Sequence, residues 1–314
     1  MCAGSVAWLR QRILKNRFHR RNDSDSLIRF LYAMINDLDS SLDFAARQTE
    51  IAFSRQWEEL AEGHALLSDD WFRTNVDRIL WEEEIQVKPE WFKGKWILDA
   101  GCGNGRWSYG FAKLGANITA VDANQSAISA TRKTLEKFDV EEEFHISRLE
   151  NVGQLLSRKY DLVFCWGVLH HCHSFNKSFD SLTKLVSDTG MIYMYLYGRD
   201  SLSYLDDLEL FKKRIYLNSL PDEKSRLAFL LKMAGNDPSK LHTVHDIYAP
   251  LINRRLDYDY VRKFLESRGF GDVTRTIDHT ELFVRAIRIN AVRDYHEKWI
   301  LPRRKPPYWF QRYR

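Results

Sequence analysis

Two periods of hydrophobicity divide this chain near Trp96. Upstream, apolar residues recur every three or four positions. The run "SDSLIRFLYAMINDL" places Leu27, Phe30, Leu31, Met34 and Leu38 on one helical face, with Ser24 or Asp25 as N-cap. "FAARQTEIAFSRQWEEL" continues in helical style, with Phe53 and Trp57 one turn apart. "SDDWFRTNVDRILWEEE" starts again behind a cap at Ser68 to Asp70.

From Trp96 the pattern shortens. "WILDA" and "NITAVDA" read as strands, with a helix over most of "RWSYGFAKLGA" between them and Gly115 as its stop. A helix in "QSAISATRKTLEKF", the strands "EFHI" and "YDLVFCW", a helix near Ser174–Val186 and the strand "MIYMYLY" follow. Alternation of this kind implies βαβ units and a mainly parallel sheet covered on both faces. Residues 199–255 break the rhythm with charged helices and are expected to be an insertion over the sheet's working edge. "LDYDYVRKFLESRGF" is a further helix, and "DVTRTIDHTELFVRAIR" a hairpin turning at Asp278–Thr280, which must add an antiparallel strand. The expected organisation is a helical extension or cap over 1–90, an α/β core over 91–290 that carries the 199–255 insertion, and a tail over 291–314.

Composition narrows this picture. A chain of 314 residues with 44% hydrophobic content can bury a substantial core. No apolar run is long enough to span a bilayer, the N-terminus lacks the pattern of a secretory signal, and the four cysteines have no framework spacing. A cytoplasmic protein with reduced thiols is expected. Charge is polarised: residues 1–21 and 303–314 are basic, free of acids and rich in large apolar side chains, so the middle is net negative. Such ends either meet a phosphate-bearing surface, membrane or RNA, or stay solvated or packed against the acidic body.

The chemistry begins at "DAGCGNG". Asp99, Gly101, Gly103 and Gly105 fall at alternate positions between a strand and a helix, where glycines admit close backbone approach and the helix start offers free N–H groups. A dinucleotide fingerprint places its third glycine one residue later, and an acid before the first glycine sits badly beside a pyrophosphate. Asp122, with Ala123 beside it, ends the next strand, where a carboxylate can accept from both hydroxyls of a ribose. These features describe a ligand with a ribose and a cationic or zwitterionic part, and no phosphate. S-adenosylmethionine fits that description.

With those residues in view, "ILDAGCGNGRW", "ITAVDAN", "YDLVFCWGVLHH" and "GMIYMYLYGR" resemble the successive motifs of class I S-adenosylmethionine-dependent methyltransferases over roughly residues 92–290. The resemblance implies a doubly wound, seven-stranded, mostly parallel α/β sheet whose last strand is antiparallel. It also implies that Asp99 and the Gly101–Gly105 loop hold the methionine end and Asp122 the ribose. The segment after the third strand would hold adenine. Ser147 and Arg148 stand there in place of the usual acid, so Glu150, or the backbone at Leu149, would take that role.

The acceptor is written less clearly. Trp166, a candidate for contacting the donor, and Tyr197 end the fourth and fifth strands. "LHHCH" supplies His170, His171, Cys172 and His173, which could join His242, His245 or Asp246 on a metal. Adjacent histidines cannot all face one ion, however, and no carboxylate is interleaved, so no metal is expected. His171, His245 and Tyr197 are the candidates for acting on the acceptor, with His171 as general base. Trp57, Tyr248, Asn253 and Arg254 are candidates for binding it, an arginine being able to clamp an anion. The expected reaction is methyl transfer to oxygen or nitrogen of a small-molecule or saccharide acceptor. RNA or a lipid-linked acceptor, or donor binding without turnover, are the alternatives.

Overall fold

The computed structural model describes residues 21–39, 42–59 and 65–313, with backbone alone at 21–25, 57–59, 65–66 and 313. The basic N-terminal segment 1–20 and the side chain of Trp57 lie outside the described residues, and the first helix already runs from Arg21, so Ser24 and Asp25 fall inside it and do not cap it.

Seven strands run β1 (Trp96–Ala100), β2 (Asn117–Asp122), β3 (Glu142–Ile146), β4 (Tyr160–Trp166), β5 (Val186–Leu196), β6 (Phe270–Arg275) and β7 (Leu282–Arg288). Their order in the sheet is β3-β2-β1-β4-β5-β7-β6, with β7 antiparallel to both neighbours. β1 and β2 are buried almost throughout because helices cover both faces. On either side of β1 the chain goes opposite ways, to β2 and to β4. The crevice at that switch point, above the carboxyl ends, is where such sheets bind ligands.

Above it lies a helical layer drawn from two distant parts of the chain. The helix Arg21–Ile35 and the helix Asp43–Glu59 share a core with Tyr204–Ser219 of the insertion. Leu31, Ile35, Ala45 and Ala46 pack with Phe211, Ile215, Leu251 and Ile252. Polar groups tie the same layers. The Gln48 side chain donates to the Ala249 carbonyl at 2.8 Å, and Thr49 Oγ1 accepts from the Ile252 N–H at 3.0 Å. The apolar stripe expected on the first helix is rotated: Leu31 is buried, while Phe30 and Met34 are exposed at 60% and 41% and Ile35 points in. On the same helix, the Tyr32 hydroxyl donates to Asp207 at 2.6 Å.

The helix Asp70–Arg78 starts as its cap predicts, with Asp69 accepting from the Phe72 N–H at 2.7 Å. It then widens into a π-turn, Ile79–Glu84, that carries both Glu83 and Glu84 inside. Past β7 the chain folds back along this turn. Leu301 N–H donates to the Gln86 carbonyl at 3.0 Å, and Tyr308 and Trp309 are buried. The C-terminal aromatics therefore pack against the protein's own acidic turn, so Tyr308 and Trp309 are not presented to a phosphate-bearing surface.

Candidate functional site

The glycine loop takes a shape that side chains would forbid. Gly101, Gly103 and Gly105 have φ of +85°, +54° and +80°. A Cβ on Gly101 would stand 2.3 Å from Val168 Cγ2, and one on Gly105 would stand 2.9 Å from the Thr131 backbone. The loop thus packs against the β4 turn on one side and the helix Gln125–Leu135 on the other. Asp122 braces it from the next strand: Oδ2 accepts from the Gly103 N–H at 3.1 Å and Oδ1 from the Asn124 N–H at 2.9 Å. Burial pushes its carboxyl up from the ordinary range, and the N–H groups of Asn124 and Gly103 pull it back.

Two residues expected at the ligand sit elsewhere. Asp99 is buried beneath the loop and accepts from the Ser108 hydroxyl at 2.6 Å, its carboxyl pushed up to about 6 by burial. It anchors the helix Arg106–Lys113 to β1 and does not line the cavity. Gly105 also faces inward, towards Thr131, so its glycine requirement comes from its positive φ and from packing.

A cavity of about 650 Å³ opens above the loop. Gly101, Gly103, Asp122, Ala123, Leu149 and Glu150 line one end of it. Glu150 is partly committed, because its Oε1 accepts from the Ser174 N–H at 3.1 Å. The Asp43–Glu59 helix forms the roof, and Arg148 reaches across to Glu50 at 2.7 Å. Phe53 meets His171 edge-on, ring centroids 4.9 Å apart.

The other end is aromatic. Trp166 stacks on Tyr195 at 4.4 Å, and Phe283 lies parallel to Phe310 at 5.6 Å. His171 lines this end with its Nδ1 2.6 Å from the Ile252 carbonyl. A carbonyl can only accept, so Nδ1 carries the proton and Nε2 keeps the lone pair. Burial lowers this imidazole to about 4, opposed by the Ile252 carbonyl and the carboxylate of Asp246. Asp246, which also lines the cavity, accepts from Gln56 Nε2 at 3.3 Å. Burial raises the Tyr197 phenol above its usual range, so it stays protonated.

Several expected acceptor contacts are structural. His245 does not reach the cavity; burial lowers it to about 4, and its Nδ1 is buried without a partner. Tyr248 sits outside as well, edge-on to Phe229 at 6.3 Å. Asn253, near the end of the insertion, is buried with neither side-chain polar atom partnered. Arg254 spends its guanidinium on the carbonyls of Asp37 (2.9 Å), Cys172 and His173 (2.8 Å), stapling the insertion to the β4 turn. The four consecutive residues of the "HHCH" run diverge: His170 stacks on Tyr197 at 4.1 Å and His173 turns to Asp43 at 3.6 Å. Among the described residues no three histidine, cysteine or carboxylate groups are placed to hold a metal.

Sequence reasoning missed Arg106, Glu281, Trp309 and Phe310, all of which line the cavity. Arg106 follows the glycine loop directly, and its guanidinium lies 4.6 Å from the Trp166 ring centre. Its position one residue past Gly105 was the available signal. Trp309 and Phe310 had none, because the residues they face, Trp166 and Phe283, are not near neighbours in the chain.

The family profile described as a methyltransferase domain matches residues 97–190. The ubiquinone biosynthesis O-methyltransferase of Hydrogenovibrio crunogenus is 29% identical over 235 residues, covering 67% of this chain and 88% of that protein. Its counterpart from Dechloromonas aromatica is 26% identical over 170 residues, 51% of this chain and 72% of the relative. Among solved structures, magnesium protoporphyrin IX methyltransferase from Synechocystis with bound S-adenosylhomocysteine aligns at TM-score 0.42 and 17% identity. That alignment covers 85% of this chain and 97% of the other. No helix among the described residues is long and apolar enough to cross a membrane.

Proposed function

We propose that this chain, which belongs to the class I S-adenosylmethionine-dependent methyltransferases, moves the methyl group to a hydroxyl oxygen of a small planar aromatic molecule. S-adenosylmethionine supplies an electrophilic methyl on its sulfonium. The protein's part is alignment, exclusion of water and removal of one proton. The loop at Gly101–Gly103 admits the donor's methionine end, Asp122 accepts from its ribose, and Leu149 and Glu150 border its base. The loop's crowding, which leaves no space for a Cβ on Gly101, supports that fit.

The observation that carries the acceptor reading is His171. Its Nδ1–H is fixed on the Ile252 carbonyl, so Nε2 is left as a proton acceptor beside an aromatic-walled space. A hydroxyl seated there passes its proton to Nε2 as its oxygen takes the methyl, and Asp246 faces the imidazolium so formed. Trp166, Tyr195 and Phe310 favour a flat ring by stacking, and the protonated Tyr197 offers a donor to a second oxygen. The relatives' name specifies methylation at oxygen, which supports oxygen over nitrogen here. The helical roof encloses the space on the insertion side, which favours a small molecule over RNA, a lipid-linked acceptor or a long saccharide.

Release of S-adenosylhomocysteine, measured against a panel of phenols, catechols and monosaccharides, tests the reading. Turnover with phenolic members should fall about a hundredfold in His171→Asn, with S-adenosylhomocysteine affinity unchanged. Methylation of saccharides alone would move the reading to that class, and donor binding without turnover would leave a binding protein.

A further inference from the structure

We propose that residues 303–313 are part of the acceptor site, and that Glu84 is the positioning residue that docks them there. Glu84 is fully buried at the end of the π-turn. Its carboxylate accepts from three neutral donors on three separate elements: Trp309 Nε1 at 2.5 Å, Trp166 Nε1 at 3.3 Å and the Tyr193 hydroxyl. Trp166 and Trp309 both line the cavity, one from β4 and one from the tail. One carboxylate therefore fixes both indoles, and with them the width of the aromatic end.

The rest of the tail is held in the same sense. Glu83 Oε2 accepts from the Trp309 N–H at 2.7 Å, and Arg304 pairs with Glu82 at 2.6 Å. The Tyr308 hydroxyl accepts from the Asp278 N–H at 3.2 Å, which ties the tail to the hairpin turn. Phe310 then lies parallel to Phe283 at the mouth. Solvation alone would not require such a tail to bring a buried indole N–H to a buried carboxylate. Burying a carboxylate is costly, and three directed donors are what make it tolerable. Burial pushes Glu84 up to about 7, opposed by these same three hydrogen bonds.

The identity of what fills the pocket rests on the reading above, so the test separates the two. Full-length protein, Glu84→Gln and Trp309→Phe are compared by two measurements. Glutamine replaces one acceptor oxygen with an amide that cannot accept from an indole, and phenylalanine removes the indole N–H together with the pyrrole part of the ring while keeping an aromatic face.

The first measurement is the rate of chymotrypsin cleavage after Tyr308, Trp309 and Phe310 with S-adenosylhomocysteine bound. Loss of a hydrogen bond to a charged group should speed it about tenfold or more in both variants. The second is methylation of 4-methylcatechol. KM should rise about tenfold while kcat and S-adenosylhomocysteine affinity stay within about threefold, the split expected when binding surface and not chemistry is disturbed.

Cleavage and KM both unchanged in Trp309→Phe overturn the proposal. That variant alters only the tail, so it decides even where Glu84→Gln fails to fold. If the wild-type protein methylates no catechol, the acceptor reading falls. Cleavage then decides the docking by itself, acceleration supporting Glu84 as the anchor and no change overturning it.

Discussion

The two ends of the cavity are built on opposite plans. The donor end comes from short stretches that close neighbouring strands: Gly101 to Gly103 after β1, Asp122 and Ala123 after β2, Leu149 and Glu150 after β3. Much of its surface is backbone, held by positive-φ glycines and one carboxylate. The acceptor end is assembled from the β4 and β5 ends, the Asp43–Glu59 helix, the insertion, the hairpin turn and the tail. Aromatic side chains are prominent in its lining, and Trp166 and Trp309 are held by Glu84, remote in sequence from both. A donor shared by many reactions can be met by one fixed loop, whereas an acceptor pocket is shaped by whichever segments the fold brings over the sheet.

Breaking the donor end should have the largest effect. Asp122→Ala removes the proposed ribose acceptor and the brace on the Gly103 N–H together. Affinity for S-adenosylmethionine by calorimetry should fall on the order of a hundredfold or more. Binding within a few-fold of wild type would disprove the ribose assignment.

Next comes the acid side of catalysis. His171 is held near 4, so it is neutral well below the ordinary histidine range. The pH profile of kcat should show no acid limb around 6.5, and turnover should persist until pH approaches 4 or the protein unfolds. A limb at 6.5 that disappears in His171→Asn would mean that this imidazole is solvated in the working enzyme.

A smaller effect distinguishes the tail from both ends. Glu84 titrates near 7 when folded and near 4.5 as a free side chain, so between these values the folded state holds the extra proton. Its contribution to stability is full below 4.5 and is lost as pH rises through 7. The urea midpoint of wild type should therefore decline relative to Glu84→Gln across that window, and parallel curves would show that the group is not buried as described.

The smallest effect is expected at Tyr248→Phe. That ring packs on Phe229 away from the cavity, so KM for the acceptor should stay within about twofold. A large rise in KM would restore Tyr248 to the site.

Legibility in the sequence follows the same division. The doubly wound sheet, the closing hairpin and the place of Gly101, Gly103 and Asp122 at a cavity could be read because period, glycine spacing and strand-end acids are local signals. Asp99 shows the limit of that reading: its position beside the loop was legible, its commitment to Ser108 was not. Arg254 shows another, since a paired arginine in a polar run looks the same whether it faces an anion or three carbonyls. Trp309 was read as part of a basic-aromatic end, when its indole belongs to Glu84.

By itself, then, the sequence determined the sheet, its winding and the glycine loop at the cavity, because these depend on contacts between near neighbours and on conformations only glycine reaches readily. Only the tertiary structure decided which histidine faces the cavity, which arginine is a staple and where the tail ends. Those outcomes turn on burial and on hydrogen-bond partners that are distant along the chain, and no local pattern records which partner a buried polar group will find.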